Sequence, residues 1–371
     1  MKKFMLIFIM IALFVSGCAS QEVEPIKIGW IGALSGDVAS IGVANIRGIE
    51  IAVDEINANG GIEGRPVKLI IEDDQFDERL ARSAFHKIVS VNDVDVVMSM
   101  SYGAIIGLAD EAERQDVVIV DSMDSSEELA SAGDYVFAIG VYNEGIGYAV
   151  AEHAAEIGAK EAGIIFNNAD PFITLVKDSF KEKFEEKGGK VVVEEAYLPE
   201  AADFRAQMAK IKAAEVPVLF IIGWDESGIA VRQAKQLGVE AKILGIDTFA
   251  SEAFQRNAGE AAEGVAFAFF RAAESPEIEG FVQKFENKFN QEPDQIMFSV
   301  IGHDAAKVIA EAMKQAIAEG KEPRGAALKD AMHNAKDYNG LAGNLSIDPD
   351  GAVRSIREEM FQLQKGEIVK I

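Results

Sequence analysis

Short apolar segments alternate with amphipathic stretches through the first part of the chain. Residues 26–31 (IKIGWI) are rich in apolar side chains and are predicted to form a strand, whereas residues 43–57 place Ile46, Ile49 and Val53 at helical spacing. The alternation continues with strands predicted at 67–72, 94–98 and 117–120 and helices at 78–90 and 105–114. Helices between successive strands imply parallel pairing with right-handed crossovers, so this part should form an open α/β sheet covered on both faces.

A second series of the same kind begins after residues 135–140. Its predicted strands are 162–166, 190–197, 217–222 and 242–245, and its predicted helices are 144–157, 173–187, 204–213 and 228–237. Two sheets of ordinary size account for this many strands more naturally than one sheet. Two further helices are predicted at 278–289 and 300–319, and a hairpin is predicted around residues 349–351 (PDG).

The N-terminus has the three-part pattern of a secretory signal. Two lysines precede an apolar run over residues 4–15, which is shorter than the roughly 20 residues that a membrane-spanning helix needs. The next segment, VSGC at 15–18, resembles the lipobox of prokaryotic lipoproteins, in which the cysteine carries a diacylglyceryl group and becomes the new N-terminus. We therefore predict a lipoprotein signal peptide at 1–17, lipid attachment at Cys18 and a tether at 18–25. An ordinary signal peptide with an incidental cysteine is the alternative.

The composition is that of a globular protein. The chain of 371 residues is 49% hydrophobic, has no later apolar run as long as a membrane span, and is long enough for two domains. Cys18 is its only cysteine, so no internal disulfide can form and the core must hold the fold together. The formal net charge of −25 repels nucleic-acid phosphates and anionic membrane surfaces, which excludes both as partners.

The sequence carries no recognisable catalytic or metal-binding motif. The four histidines are scattered without ligand spacing, and neither a G-x-S-x-G elbow nor a P-loop is present. Asp73 and Asp74 could serve as paired carboxylates for acid–base chemistry, but they follow a strand and are better explained as carboxylates that cap a loop. We therefore predict no enzyme activity, no metal and no cofactor.

Several segments resemble one family. IGALSGDVASIG (31–42) and IRGIEIAVDEINANGGIEGRPVKLIIEDD (46–74) look like the opening of the branched-chain amino-acid (Leu/Ile/Val) type of periplasmic binding protein, the solute-binding component of ABC importers. The resemblance continues in register through 203–212, 231–239, 261–265 and 302–313. It implies an α/β protein with the type I periplasmic-binding-protein fold, in which two open parallel-sheet lobes are joined by three crossing segments. The implied bounds are 26–140 and 269–340 for lobe 1, and 141–268 and 341–371 for lobe 2.

The family's ligand-binding loops correspond to residues 100–104 and 121–126 of lobe 1. Each loop follows a predicted strand and precedes a helix, where free N–H groups can receive an anion. The resemblance implies ligand contacts from Ser101, Tyr102, Asp124 and Ser125. Tyr102 stands where the family has a small hydroxyl, and Asp124 replaces a small residue. Both changes argue against a standard α-amino-acid pose, because tyrosine takes space and aspartate adds negative charge near the expected carboxylate.

Four further residues are implied by the same resemblance. Asp247 matches the family's acidic partner for the ligand ammonium, Phe172 and Trp224 fall where aromatic side chains close over the ligand, and Ile41 matches an aromatic position. Core packing is the alternative for the two aromatic residues, and helix capping is the alternative for Asp247. Apolar walls with acidic residues suit a small hydrophobic amino acid, an amide or an amine, whereas a multiply anionic ligand would need an arginine cluster that these loops lack.

Together these features predict an extracytoplasmic, lipid-anchored and monomeric solute-binding protein. It would capture a small hydrophobic amino acid or a related compound and deliver it to the permease subunits of an ABC importer. Closure of the two lobes around the ligand shifts an existing equilibrium, so no chemistry on the ligand is expected. A sensor of the same fold that reports an amide or amino acid to a signalling partner is the alternative.

Overall fold

The structure is a computed structural model that describes residues 23–36, 38–199, 201–270 and 275–371. The predicted signal peptide (1–17) and Cys18 lie outside these residues, as does all of the predicted tether except residues 23–25. Within the described residues, no helix is both long enough and apolar enough to cross a membrane.

Strands and helices alternate as the apolar pattern predicts. In the described residues the strands are β1 (Ile26–Gly32), β2 (Val67–Asp73), β3 (Val96–Ser99), β4 (Ile119–Asp121), β5 (Asp124–Ser125), β6 (Val136–Ala138), β7 (Val141–Tyr142), β8 (Glu161–Asn167), β9 (Lys190–Tyr197), β10 (Val218–Ile222), β11 (Lys242–Gly245), β12 (Ala266–Phe269), β13 (Tyr338–Gly340), β14 (Gly343–Leu345), β15 (Glu359–Gln364) and β16 (Glu367–Lys370). The α-helices of the same residues are α1 (Ala39–Ala58), α2 (Glu78–Ser90), α3 (Tyr102–Arg114), α4 (Glu127–Ser131), α5 (Asn143–Glu156), α6 (Pro171–Glu186), α7 (Arg205–Ala214), α8 (Ser227–Gln236), α9 (Glu252–Ala258), α10 (Pro276–Phe289), α11 (Ile296–Ala318) and α12 (Gly325–His333). Short 3₁₀ helices lie at Asp247–Ala250 and Gly259–Ala262.

The first sheet has five parallel strands in the order β2-β1-β3-β4-β6. Strands β1 and β3 are buried along nearly their whole length, as expected of strands that are covered on both faces. The second sheet has the order β16-β15-β12-β11-β10-β8-β9, and its strands from β12 to β9 are parallel. The prediction of two open parallel α/β sheets is confirmed.

The C-terminal segment differs from the prediction in one respect. Residues 348–351 form a turn closed by a hydrogen bond from Gly351 N–H to the Asp348 carbonyl, but no strand pair flanks it. Ala352 instead pairs in parallel with Ala138 at the end of β6. The antiparallel hairpin lies further on, where β15 and β16 extend the second sheet beside β12. The hairpin predicted at 349–351 is therefore wrong in position, because the chain there is already paired to the first sheet.

Helices α1 and α11 pack closely against each other in the first lobe. Gly48 of α1 lies so near Ser299 of α11 that a Cβ at Gly48 would collide with the Ser299 carbonyl group. The Ser299 hydroxyl donates a 2.7 Å hydrogen bond to the carbonyl oxygen of Ala44, one turn earlier in α1. This contact holds the N-terminal ends of both helices next to the loops that follow the strands of the first sheet.

The lobes are connected by chain segments that run side by side. Residues 139–142 lead from β6 to α5, and residues 353–358 lead from the edge of the first sheet to β15. The Tyr142 N–H donates a 2.9 Å hydrogen bond to the Ile356 carbonyl oxygen, which joins these two segments. The two-residue strands β5 and β7 also pair here, so Asp124 lies opposite Val141. The loop that carries Asp124 is thereby attached directly to the connection between the lobes.

Candidate functional site

A narrow chamber of about 30 Å³ lies between the two lobes. This volume is enough for about two water molecules. The chamber is lined by Ile41, Phe76, Tyr102, Met123, Asp124, Val141, Asn143, Ile146, Phe172, Trp224, Asp247, Met297, Phe298 and Glu358. Grooves of about 490 Å³ and about 330 Å³ adjoin it, and Trp224 lines both grooves as well as the chamber. Trp224 is therefore part of the wall that separates the chamber from the open cleft.

The loop that carries Asp124 is shaped by the carboxylate at the end of β4. One oxygen of Asp121 accepts hydrogen bonds from the N–H groups of Met123 at 2.9 Å and Asp124 at 2.8 Å. The Ser122 N–H donates to the carbonyl oxygen of Ser99. The N–H groups of residues 122–124, which the sequence offers as an anion site, are thus already used within the protein.

A buried asparagine fixes the same loop to the core. The Asn45 amide donates to the Ser122 carbonyl oxygen at 2.8 Å and accepts from the Trp30 indole N–H at 3.0 Å. The Ser122 hydroxyl in turn donates to the Asn45 side-chain oxygen at 3.1 Å. Since Trp30, Asn45 and Ser122 are all fully buried, each of these polar groups needs its partner.

The other predicted loop turns its hydroxyl groups away from the chamber. Ser101 donates a 2.6 Å hydrogen bond to buried Asp74, which also accepts from the Phe76 N–H at 2.9 Å. The Tyr102 hydroxyl donates to Glu128 at 2.8 Å and lies 3.1 Å from the Ser126 hydroxyl. Burial and the nearby Glu128 carboxylate raise the pKa of Tyr102 above its usual value. Tyr102 therefore lines the chamber as a neutral residue whose hydroxyl is already engaged.

The aromatic wall of the second lobe is held by Asp170, the N-cap of α6. Its carboxylate accepts from the Phe172 N–H at 2.9 Å and from the Trp224 indole N–H at 3.1 Å. The Trp224 and Phe172 rings stack with centroids 5.7 Å apart. Phe76 of the first lobe meets Trp224 edge-on at 6.3 Å. This last contact crosses the cleft at the chamber wall.

Acidic side chains dominate the electrostatics of the chamber. Burial raises the pKa of Asp121 to about 7 and the pKa of Asp247 to about 6. Burial and the neighbouring charge of Asp121 raise the pKa of Asp124, and the Asn143 amide offsets part of this effect. Burial together with Asp247 and Asp124 raises the pKa of Glu358 in the same way. Of the residues that the structure describes, no lysine or arginine lines the chamber to compensate these carboxyls.

The structure brings six of the eight predicted ligand-binding residues together in the chamber wall: Ile41, Tyr102, Asp124, Phe172, Trp224 and Asp247. Ser101 lines the 330 Å³ groove instead and is bonded to Asp74. Ser125 lines neither the chamber nor the two grooves, although its buried hydroxyl has no hydrogen-bond partner among the described residues.

Sequence reasoning missed the rest of the wall. Phe76 lies in a loop with a positive φ of 60°, and Met297 and Phe298 begin α11. Asn143 begins α5, and Glu358 arrives from the segment between β14 and β15. None of these positions carries a local motif, although Asn143 directly follows the Val141-Tyr142 pair that links the lobes. Among the described residues, no three His, Cys, Asp or Glu side chains are grouped so as to hold a metal ion.

Two α/β lobes on either side of a narrow chamber are the arrangement of a two-lobe solute-binding protein. The chain belongs to the periplasmic binding proteins, whose family pattern matches residues 25–361. The family and the relatives described next are solute-binding proteins and not enzymes, which confirms both the resemblance and the predicted lack of catalysis.

Relatives extend over nearly the whole chain. The leucine-, isoleucine-, valine-, threonine- and alanine-binding protein of Pseudomonas aeruginosa is 27% identical over 360 residues, covering 95% of this chain and 94% of that protein. The branched-chain amino acid transporter substrate-binding protein LivJ of Streptococcus pneumoniae, solved with isoleucine, is 27% identical, with a TM-score of 0.80 over 93% of this chain and 98% of that chain. The leucine-binding protein LivK of Thermotoga maritima is 22% identical, with a TM-score of 0.83 over 93% and 97% of the two chains, which supports the fold.

Proposed function

We propose that this chain is the extracytoplasmic, lipid-anchored solute-binding component of an ABC importer. It captures a small hydrophobic amino acid or a related compound between its lobes and delivers it to the permease. The observation that carries this proposal is the narrow chamber between the lobes, whose wall combines apolar, aromatic and carboxyl side chains from both lobes. Its small volume means that the lobes must part before a ligand enters, which is the hinge motion of a two-lobe binding protein.

The proposed lobes are 26–140 with 269–340, and 141–268 with 341–371. Two contacts favour moving the last boundary toward residue 353. The Ala342 N–H donates a 2.7 Å hydrogen bond to Asp304 of α11, and Ala352 pairs with Ala138 of the first sheet. Residues 341–353 therefore contact lobe 1, and the crossing to lobe 2 would follow them.

Ligand capture can be followed with the protein's own fluorescence. The chain has two tryptophans: Trp30 is fully buried beside Asn45, whereas Trp224 lines the chamber. Leucine, isoleucine, valine, short amides and small amines would be titrated into the mature chain after bound ligand has been removed by unfolding and refolding. We expect a saturable emission change from at least one compound, and we expect it to persist in Trp30→Phe.

The control is Trp224→Phe, which should lose the emission change while calorimetry still detects binding, because phenylalanine keeps an aromatic wall. Loss of transport of the identified compound after deletion of the gene would then connect binding with import. A protein that gives neither an emission change nor heat with any compound of the panel would contradict the proposed function.

The lipid anchor is tested separately from the ligand. Cys18→Ser should move the protein from the membrane fraction to the soluble fraction, because the cysteine sulfur is the proposed attachment point of the diacylglyceryl group. Ser20→Ala, two residues further on, should leave the membrane fraction unchanged. Equal membrane fractions for Cys18→Ser and the natural protein would rule out lipidation at this residue.

A further inference from the structure

The chamber presents several carboxyl groups to one small space. Asp124 and Glu358 are each only 6% exposed, and Asp247 completes the set from the second lobe. The Glu358 Oε2 atom is buried and has no hydrogen-bond partner among the described residues. A buried carboxylate oxygen without a partner is costly, so its place in the chamber wall indicates that a bound group supplies the missing donor.

A second side chain in the wall is also incomplete. Asn143 is fully buried, and neither its amide nitrogen nor its oxygen has a partner at hydrogen-bond geometry within the described chain. It lies close enough to Asp124 to lower the pKa of that carboxyl. Asn143 and Glu358 are thus two buried polar side chains that a group bound in the chamber could supply with hydrogen-bond partners.

The loop donors that could hold a ligand carboxylate are occupied, which leaves the Asn143 amide as the uncharged donor of the chamber wall. The N–H groups of Met123 and Asp124 are bonded to Asp121, and the Ser101 hydroxyl is bonded to Asp74. No arginine or lysine of the described residues lines the chamber. A carboxylate in this space would therefore meet carboxyl groups of its own charge and no free cation.

The remaining wall suits a positive charge on an apolar body. Phe76, Phe172 and Trp224 present aromatic rings to the chamber, and aromatic faces attract cations when water is excluded. Ile41 and Ile146 provide apolar surface beside them. This combination of aromatic rings, carboxyl groups and the unpartnered Glu358 oxygen is complementary to an alkylammonium group, whose N–H atoms can donate to the carboxyls.

We propose that the ligand of the chamber is a small organic cation, a protonated amine with a compact apolar body and no carboxylate. This inference names the ligand class of the proposed solute-binding function and depends on it. The chamber of about 30 Å³ must widen by parting of the lobes to admit this ligand. The ammonium then donates to Glu358 and to one of the aspartates, while the alkyl part packs against the aromatic wall. No bond in the ligand is made or broken.

Four compounds that share the 3-methylbutyl group test the charge requirement. The series is leucine, leucinamide, 3-methylbutylamine and 4-methylpentanoate, titrated by calorimetry into the refolded mature chain at pH 7.5. We expect 3-methylbutylamine and leucinamide to bind about tenfold or more tightly than leucine. We expect no detectable binding of 4-methylpentanoate. The proposal is overturned if leucine binds more tightly than both cations, or if neither cation binds.

The outcomes separate this inference from the proposed function. Tight binding of leucine without binding of 3-methylbutylamine would overturn the proposal that the ligand is a cation without a carboxylate, and it would leave the solute-binding function intact. If neither cation binds and no compound of the wider panel of amino acids, amides and amines binds either, both fail. Binding of Ca²⁺ to the same protein, measured in parallel, would overturn the inference if it competes with and exceeds the binding of every amine.

Glu358→Gln tests whether the Glu358 carboxyl binds the ammonium group. The substitution keeps the shape of the side chain but removes its negative charge, so affinity for 3-methylbutylamine should fall about tenfold or more. The variant should remain folded, because burial raises the pKa of Glu358 and an amide resembles the protonated carboxyl in shape and polarity. Glu359→Gln is the matched control, because Glu359 is exposed and pairs with Lys370 outside the chamber. Equal affinity of Glu358→Gln and the natural protein would overturn the role of Glu358.

Discussion

At the scale of single residues, Asn45 connects the core to the site. Its side chain bonds to Trp30 of β1 and to the Ser122 carbonyl oxygen, and Ser122 leads directly into Met123 and Asp124 of the chamber wall. A buried amide that joins a strand to a loop restricts the loop to one arrangement, because each alternative would leave polar groups unpaired. The position of Asp124 therefore depends on a residue that does not line the chamber.

We predict that Asn45→Ala destabilises the protein by about 2 kcal/mol or more, since it leaves the buried Trp30 N–H and the Ser122 carbonyl without this partner. Ligand affinity should fall as well, because the loop that carries Asp124 loses its attachment. Thermal unfolding and calorimetric titration measure the two effects.

Asn59→Ala is the matched control for this prediction. Asn59 is the exposed C-cap of the same helix, and its side chain donates only to the Glu55 carbonyl oxygen at 2.8 Å. Its loss should change stability by no more than about 0.5 kcal/mol. If the two alanine variants unfold at the same temperature, the buried network of Asn45 does not hold the loop.

At the scale of helices and strands, much of the fold could be predicted because the apolar pattern is strong. The strand at 26–31 is buried along almost its whole length, as its run of apolar residues predicts. The helix around Ile49 and Val53 buries the residues that recur at helical spacing. The position of the last hairpin could not be predicted, because Ala352 is paired to Ala138, a contact between residues far apart in sequence. Local turn residues at 349–351 carry no information about such a pairing.

The site was predicted less completely than the fold, because it too depends on contacts between residues that are far apart in sequence. Tyr102, Asp124 and Asp247 follow strands and could be identified through the family resemblance. Glu358 lies in an irregular segment, and it enters the chamber only because the connecting segment 353–358 passes beside β7. The sequence suggested that the N–H groups of the loop at 121–126 could bind an anion. In the folded turn, the N–H groups of Met123 and Asp124 instead donate to the Asp121 carboxylate, and this bonding cannot be read from the sequence.

The contact between α1 and α11 gives a prediction at the same scale. Gly48→Ala would place a methyl group against the Ser299 carbonyl, so the two helices would have to separate. We expect a loss of about 3 kcal/mol, as is typical of overpacking in a core. Chemical denaturation would measure the loss, and protein yield would report it if the variant does not accumulate.

Gly280→Ala in α10 is the control, because a Cβ there has no heavy atom within 4 Å among the neighbours. Alanine inside an open helix position should stabilise the protein by about 0.5–1 kcal/mol, since glycine loses more backbone freedom on folding. Opposite signs for the two substitutions are therefore expected. Equal effects would mean that the distance between α1 and α11 is not fixed by Gly48.

At the scale of the whole molecule, the two lobes meet around buried acids in a chain of formal charge −25. Phe76 and Trp224 join the lobes across the cleft, while the pairing of Asp124 with Val141 joins the site to the connecting segments. Closing the cleft buries carboxyl groups that would be hydrated in an open state. The ligand-free protein should therefore close most readily when these groups are protonated.

This arrangement predicts how stability depends on pH. The pKa of Asp121 is raised to about 7 and that of Asp247 to about 6 by burial, and the pKa values of Asp124 and Glu358 are also raised. Between about pH 4 and pH 7 the folded protein holds protons that the unfolded chain has released. Unfolding then releases protons, so the free energy of unfolding must fall as the pH rises through this range. The Tm of the ligand-free protein should be lower at pH 8 than at pH 5.

Two variants separate the buried acids from the general charge of the surface. Asp247→Asn removes one of the titrating groups of the chamber, so its Tm should fall less between pH 5 and pH 8 than the Tm of the natural protein. Asp110→Asn removes the same formal charge from an exposed position in α3 and should leave the slope unchanged. If Tm changes equally between pH 5 and pH 8 in all three proteins, the pH dependence comes from repulsion between surface charges. A Tm that rises toward pH 8 would mean that the chamber carboxyls are ionised in the folded protein and already stabilised by other groups.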